Sequence, residues 1–217
     1  MLKDEIADQL VYATVKISSK NDLKSWSGTG FFMTRPYADK ANVIKMVTNR
    51  HVMEHAKMAD ITLTRANPDG TPNNTEHVTL HFDGVQTFCQ YHSDPAIDVC
   101  VVDIQEGLKA LEAEGIMAYF KCISTNMIVT DSGLESLTPI EDVIMIGYPN
   151  AISDTTNNRP VVRSGITATD LKLNYNGKFE FMIDMACFPG SSGSPVFLRK
   201  NGLEKETNED SSVTLAI

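Results

Sequence analysis

The chain has 217 residues, a formal net charge of −9 and a composition that is 42% hydrophobic and 22% charged. This length accommodates one large domain or two smaller units with their own cores. The acidic balance argues against nucleic acid or an anionic membrane as a partner, since both require a basic surface. No apolar run approaches the roughly 18 residues that a bilayer-spanning helix needs.

The first six residues are charged and lack the apolar segment of a signal peptide. The four cysteines form no Cys-x-x-Cys pair and no Cys/His spacing that is typical of zinc. Free thiols suit a reducing compartment. Together these features predict a cytoplasmic protein.

Short strands separated by frequent turns are predicted along the whole chain. Residues 1–9 are expected to form a short helix or a frayed start of the chain, and a helix is expected at 105–114. Strands are expected at 10–17, 28–33, 43–48, 61–64, 77–82, 96–104, 143–146, 161–163 with 166–169, 179–185 and 196–199. The polar residues 200–212 are expected to be mobile, and residues 213–217 begin a further strand. This pattern predicts an all-β sandwich or barrel.

A run rich in glycine and serine, FPGSSGSP at residues 188–195, lies between two apolar segments. Glycines that flank serines between strands are typical of a tight turn that exposes a hydroxyl beside free backbone N–H groups. A serine hydroxyl becomes a good nucleophile only when a base takes its proton. If this run holds a nucleophile, a histidine base and a carboxylate that orients it must come from elsewhere in the chain.

Among the five histidines, His51 stands where a predicted strand ends, in VTNRHV at residues 47–52. A catalytic histidine needs an acceptor on its other ring nitrogen. Asp98 lies in an apolar run, where a carboxylate is costly unless it has a partner. We expect Asp98 to bind His51 and Ser192 to be the nucleophile. The N–H groups of Gly190 and Ser192 would face the developing oxyanion.

These motifs resemble those of the chymotrypsin/trypsin superfamily, in its compact microbial trypsin-like peptidase form. GTGFF at 28–32 is similar to the second-strand signature of that family, and VTNRHV is similar to its histidine motif. DVCVV at 98–102 resembles its aspartate strand, and GSSGSP at 190–195 resembles its Gly-x-Ser-Gly-x-Pro nucleophile motif. His51, Asp98 and Ser192 follow the order of the family, separated by 47 and 94 residues.

The resemblance implies two packed, antiparallel, six-stranded β-barrels. Residues 1–118 would form the barrel that carries His51 and Asp98, and residues 119–217 the barrel that carries Ser192. It also implies a serine endopeptidase that hydrolyses a polypeptide substrate through an acyl-enzyme, with no metal or organic cofactor.

Four departures from the family pattern carry expectations of their own. Val52 replaces a cysteine of the digestive members, so their disulfide at this position is absent. Ser191 replaces the aspartate that pairs with a newly cleaved N-terminus, which predicts that activation does not occur in that way. Ala186 stands at the position of the acidic selector of trypsin, which argues against a preference for Arg or Lys. Only 25 residues follow Ser192, so the second barrel is expected to be incomplete at its C-terminal end and the activity of this chain is left open.

Two alternatives remain at this point. The chain could be a pseudo-protease, which keeps the fold as a binding or regulatory module. The residues HVMEH at 51–55 also match the His-x-x-Glu-His zinc pattern, which requires a longer helix and a distant acidic ligand. The sequence leaves the physiological substrate and the oligomeric state open.

Overall fold

The computed structural model describes residues 3–37, 40–150, 152–199 and 214–216. The helices are α1 Lys3–Ala13, α2 Arg50–Met53, α3 Gln105–Ala113 and α4 Asp131–Glu135. The strands are β1 Thr14–Lys20, β2 Ser25–Tyr37, β3 Lys40–Thr48, β4 Met58–Ala66, β5 Pro72–Asp83, β6 Cys89–Tyr91, β7 Cys100–Val102, β8 Ala118–Tyr119, β9 Ile123–Ser124, β10 Asp142–Gly147, β11 Val161–Thr167, β12 Ile183–Asp184, β13 Val196–Leu198 and β14 Thr214–Ala216.

The larger sheet contains nine strands from the first part of the chain. Seven of them follow the order β5-β4-β1-β2-β3-β7-β6, and every neighbouring pair is antiparallel. The short β8 pairs with β4, and β9 pairs with β2 in parallel. β3 pairs with β2 from Phe31 onward, so the glycine-rich start of β2 lies beyond the end of β3. This part of β2 is available for a contact with another segment.

The smaller sheet has the order β12-β11-β10-β13-β14, with all pairs antiparallel. The expected strand at residues 213–217 is present as β14, which pairs with β13. Residues 200–213 lie outside the described part of the chain. The mobility predicted for residues 200–212 therefore stays a prediction. The prediction of an all-β protein is confirmed. The pairings among the described strands do not themselves show that either sheet closes into a barrel.

Three clusters of buried side chains stabilise these sheets. The largest fills the first sheet, and a small one lies under the second, around Val143 and Leu198. The third joins the two sheets: Leu10 and Ala13 of α1 pack with Phe31 of β2, Ile146 of β10 and Phe197 of β13. The division of the chain into two barrels between residues 118 and 119 stays a prediction. Strand β8 spans this boundary and β9 follows it, and both pair with the first sheet.

The start of the chain corrects the prediction of a strand at residues 10–17. Helix α1 continues to Ala13, because Leu10 and Ala13 are spaced to bury on one helix face. The Thr14 hydroxyl donates a hydrogen bond to the Leu10 carbonyl at 2.9 Å, which satisfies a carbonyl of the last turn as β1 begins. Burial of one helix face therefore outweighed the local preference of the β-branched residues for a strand.

Two other predicted strands are shorter than expected. Of residues 179–185 only Ile183 and Asp184 pair with β11, and the Phe179 side chain is 88% exposed. Of residues 96–104 only Cys100–Val102 form a strand. Apolar composition predicted burial in both segments, whereas Phe179 and Asp98 are exposed. In the described part of the chain, no helix combines the length and the apolar character needed to cross a membrane.

The cluster that joins the sheets gives a test of the fold. Phe197→Ala removes a fully buried ring, and we expect it to lower the free energy of unfolding by about 3–5 kcal/mol. Phe179→Ala is the matched control, because that ring is 88% exposed and its loss should change the free energy little. Urea denaturation of both variants measures the difference. Equal effects in the two variants would contradict the proposed packing.

Candidate active site

His51 and Asp98 form a direct pair at the junction after β3. The His51 Nδ1 atom lies 2.6 Å from Asp98 Oδ2. The His51 backbone N–H donates to the other oxygen, Asp98 Oδ1, at 2.9 Å. Because a carboxylate only accepts hydrogen bonds, Nδ1 carries the proton in this pair. The Nε2 atom of the neutral ring is then free to act as a base.

The backbone of Asp98 is held by the same segment that carries His51. The Asp98 carbonyl accepts from Asn49 Nδ2 at 2.7 Å and from Arg50 N at 3.3 Å. These bonds draw Asp98 away from strand pairing, so it lies in the loop before β7. The expectation of a carboxylate buried within a strand is wrong. The side chains of His51 and Asp98 are 52% and 47% exposed, so their contact adds little to stability and serves mainly to orient the ring.

The segment FPGS at residues 188–191 forms a tight turn. The Ser191 N–H donates to the Phe188 carbonyl at 3.0 Å, and Gly190 has a φ of 92°. Proline in the second position and a positive φ in the third are the features of a type II turn. A Cβ atom on Gly190 would lie 2.6 Å from the Tyr148 carbonyl oxygen. Glycine is therefore required both by the backbone conformation and by the space available.

The orientation of the Gly190 N–H follows from its neighbours. The Pro189 carbonyl accepts from the Asn150 N–H at 2.9 Å. The described peptide bonds are all trans, and in a trans peptide the N–H and the carbonyl point in opposite directions. The Gly190 N–H therefore points away from Asn150. A turn of this kind can present a backbone donor to an anion.

Thr29, at the start of β2, fastens the serine turn to the first sheet. Its N–H donates to the Ser192 carbonyl at 2.7 Å, and its hydroxyl donates to the Gly190 carbonyl at 2.8 Å. Its own carbonyl accepts from the Thr48 hydroxyl at 2.7 Å. Thr48 is the last residue of β3, and the segment that follows it leads to His51. The functions of Thr29 and Thr48 were not predicted from the sequence. The glycines on both sides of Thr29 were the available signal.

Gly28 lies between the histidine segment and the serine turn. A Cβ atom on Gly28 would be 2.6 Å from a methyl group of Val52 and 3.3 Å from the Ser192 carbonyl. Trp26 adds a second link, because its indole N–H donates to the Val52 carbonyl at 3.0 Å. These contacts bring the segments that carry His51 and Ser192 together at the same end of β2.

The three serines of the turn have different surroundings. The Ser191 hydroxyl oxygen accepts from Arg163 Nη1 at 2.8 Å and from the Phe188 N–H at 3.3 Å. The Ser194 hydroxyl is buried and has no partner among the described residues. Ser192 is half-buried. The contacts of Ser191 and Ser194 leave Ser192 as the candidate nucleophile, which stays a prediction.

Ala186 precedes the turn, and its carbonyl accepts from Arg163 Nη1 at 2.9 Å. The assignment of Ala186 to a substrate pocket stays a prediction. No pattern in the sequence indicated a function for Arg163, which was predicted only as part of a short strand and lies on β11. Its position beneath the turn depends on the pairing of β11 with β10 and β12.

The zinc pattern at residues 51–55 does not form the geometry that it requires. Helix α2 ends at Met53, so Glu54 and His55 lie beyond it. His51 Nδ1 binds Asp98, and His55 Nε2 lies 3.5 Å from Glu54 Oε1. Within the described ranges, no three His, Cys, Asp or Glu side chains gather as a group that could hold a metal ion.

Comparison with known proteins places this arrangement in a family. The model of the trypsin-like peptidase domain matches residues 28–203, from the glycine-rich start of β2 to beyond the serine turn. The chain belongs to this family. No curated protein matches the chain.

Two solved structures resemble the fold. An HtrA-type protease, AlgW, in a serine-to-alanine variant with a tripeptide, is 16% identical, with a TM-score of 0.51. The match covers 99% of this chain and 57% of that protein. Rv3671c from M. tuberculosis H37Rv, a serine-to-alanine mutant in an inactive form, is 17% identical, with a TM-score of 0.45, covering 88% of this chain and 73% of the other. The likeness to AlgW shows the chymotrypsin-like fold alone, and this chain spans little more than half the length of AlgW.

The docking of the turn on Thr29 can be tested at Gly193, which has a φ of 85°. A Cβ atom there would collide with the Thr29 carbonyl and the Thr48 hydroxyl. Gly177 has a φ of 75° but open space around it. We expect Gly177→Ala to cost about 1–2 kcal/mol of unfolding free energy from backbone strain. Gly193→Ala should cost about 1–3 kcal/mol more from overpacking.

Chemical denaturation measures the unfolding free energy of both variants. The difference between them gives the cost of the steric contact, since the backbone strain is similar at the two positions. Equal losses in Gly193→Ala and Gly177→Ala would mean that the turn does not dock as described.

Proposed function

We propose that this chain is a serine endopeptidase domain in which Ser192 is the nucleophile, His51 the general base and then acid, and Asp98 the residue that orients His51. The observation that carries the proposal is the 2.6 Å contact between His51 Nδ1 and Asp98 Oδ2. It leaves His51 Nε2 free for proton transfer, in a segment that meets the serine turn at β2. The family match supports the same chemistry.

The proposed reaction has two stages. The Ser192 hydroxyl attacks the carbonyl carbon of the scissile peptide bond while its proton moves to His51 Nε2. The N–H groups of Gly190 and Ser192 stabilise the oxyanion that forms on the carbonyl oxygen. When the C–N bond breaks, the leaving amine takes the proton from His51 and the acyl-enzyme remains. Water then attacks the ester, with His51 again as base, and releases the acid product and Ser192.

Selectivity is part of this proposal. With Ala186 rather than an acidic residue before the turn, the domain would not favour Arg or Lys at the cleavage site. Ser191 binds Arg163 and carries no negative charge, so activation by pairing with a new N-terminus is not expected. The substrate would be a specific cellular polypeptide, since an intracellular protease must be restrained. The cytoplasmic location and the absence of a nucleic-acid partner stay predictions.

A fluorophosphonate probe, which labels activated serines, tests the nucleophile. We expect labelling of the wild-type chain and its loss in Ser192→Ala, with turnover reduced by on the order of 10⁶-fold. Ser194→Ala is the matched control, because its buried hydroxyl has no partner among the described residues and its removal should leave labelling intact. A folded wild-type chain that resists the probe would favour the binding-module alternative.

Asp98→Asn tests the orientation of His51. An amide can donate a hydrogen bond to Nδ1, which favours the wrong tautomer, so turnover of fluorescent casein should fall by about 10⁴-fold. Asp103→Asn is the control, because Asp103 is similarly exposed and its carboxylate pairs with Lys45 at 2.5 Å, away from His51. That bond to Lys45 holds the pKa of Asp103 below its usual range. Comparable losses in the two variants would refute a specific function for Asp98.

A further inference from the structure

Arg163 is a buried cation directly beneath the serine turn. The residue is 8% exposed. Its Nη1 atom donates to the Ala186 carbonyl at 2.9 Å and to the Ser191 hydroxyl at 2.8 Å. One guanidinium nitrogen therefore binds both Ala186, before the turn, and Ser191, at its end. It connects both residues to β11.

The rest of the guanidinium has an unfavourable environment. The Nε and Nη2 atoms are buried and have no hydrogen-bond acceptor among the described residues. The ion pairs found among those residues do not include Arg163. Burial lowers the pKa of the guanidinium below its ordinary value. A buried charge that lacks an ion-pair partner costs stability, and an apolar residue of similar volume is often tolerated equally well or better. A contribution to stability therefore does not explain Arg163.

The contact with Ser191 bears on the conformation of the turn. The Ser191 hydroxyl oxygen accepts from Arg163 and from the Phe188 N–H, while the Ser191 N–H closes the turn on the Phe188 carbonyl. Type I and type II turns differ mainly in the direction of their central peptide. Here that peptide joins Pro189 to Gly190. Reversing it would turn the Gly190 N–H toward Asn150 and direct the Pro189 carbonyl the opposite way.

We propose that Arg163 is a positioning residue that holds the serine turn in its type II form through Ser191, so that the Gly190 N–H faces the oxyanion. This inference rests on the proposed serine-peptidase function for its catalytic consequence. Arg163 would touch neither the substrate nor the reacting atoms. Its bond to the Ala186 carbonyl would fix the start of the segment, and its bond to the Ser191 hydroxyl would fix the end of the turn.

The kinetic test uses Arg163→Met, Ser191→Ala and the double variant, each assayed by the rate of fluorophosphonate labelling. Loss of one oxyanion donor costs on the order of 10²–10³-fold, so its misplacement should reduce the maximal labelling rate by about 10- to 100-fold. The probe concentration that gives half the maximal rate should stay unchanged. The double variant should be no slower than the slower single variant, because both changes remove the same contact.

Two controls separate positioning from general damage. Arg65→Met breaks an exposed pair with Glu76 and should label at the wild-type rate. The melting temperature of Arg163→Met should equal or exceed that of the wild type, because an unpaired buried charge has been removed. Additive losses in the double variant, or an unchanged labelling rate in Arg163→Met, would overturn the proposal. If Arg163→Met does not fold, Ser191→Ala alone must show the slower labelling.

A second measurement is independent of activity. In a Ser192→Ala background, NMR hydrogen exchange of the Asn150 amide reports the direction of the central peptide, because this amide donates to the Pro189 carbonyl in the type II form. We expect Arg163→Met to speed this exchange by about tenfold or more, since reversal of the peptide removes the acceptor and exposes the amide to water. Unchanged exchange would overturn the inference on Arg163 even if the wild-type chain is an active peptidase. A wild-type chain that resists the probe would instead refute the proposed function, and the exchange result would still decide whether Arg163 holds the turn.

Discussion

The close approach of Thr29 to the serine turn is the constraint on which the rest of the site depends. Thr29 is fully buried, and its polar groups are all bonded to distant segments. Its hydroxyl accepts from the Tyr148 N–H at 2.9 Å while it donates to the Gly190 carbonyl. Its N–H and carbonyl bind Ser192 and Thr48. Buried polar groups require such partners, so the two sheets and the turn are held in one arrangement.

The His51–Asp98 pair and Arg163 lie in contrasting environments. The His51–Asp98 pair is half-exposed, where solvent weakens electrostatic interactions. Its geometry is nevertheless well determined, because the same carboxylate binds both the ring and the backbone of His51. Arg163 is buried and only partly satisfied. In both cases the contribution to stability is small or unfavourable, and orientation of a neighbouring group is the better explanation.

The differences between the expected and observed elements have a common cause. A strand was expected through Asp98 because its neighbours are apolar, yet the Asp98 carbonyl bonds to Asn49 and Arg50 instead of an adjacent strand. A strand was also expected from residue 10, yet Leu10 lies in a helix that packs across both sheets. Helix α3, at residues 105–113, was predicted correctly because its pattern is local. Periodicity reports which residues tend to be buried, whereas the direction of a short segment depends on partners far along the chain.

The sequence by itself determined the all-β class, the tight turn around residues 188–191 and the pairing of His51 with Asp98 as a candidate. These features follow from local composition, from glycine and proline preferences and from a short set of motifs. Only the tertiary structure decided that the Ser191 hydroxyl is occupied by Arg163, that the Ser194 hydroxyl is buried and that the Gly190 N–H points away from Asn150. Each of these depends on contacts between the turn and neighbouring β-structure, and no local pattern encodes which distant group will face a given atom.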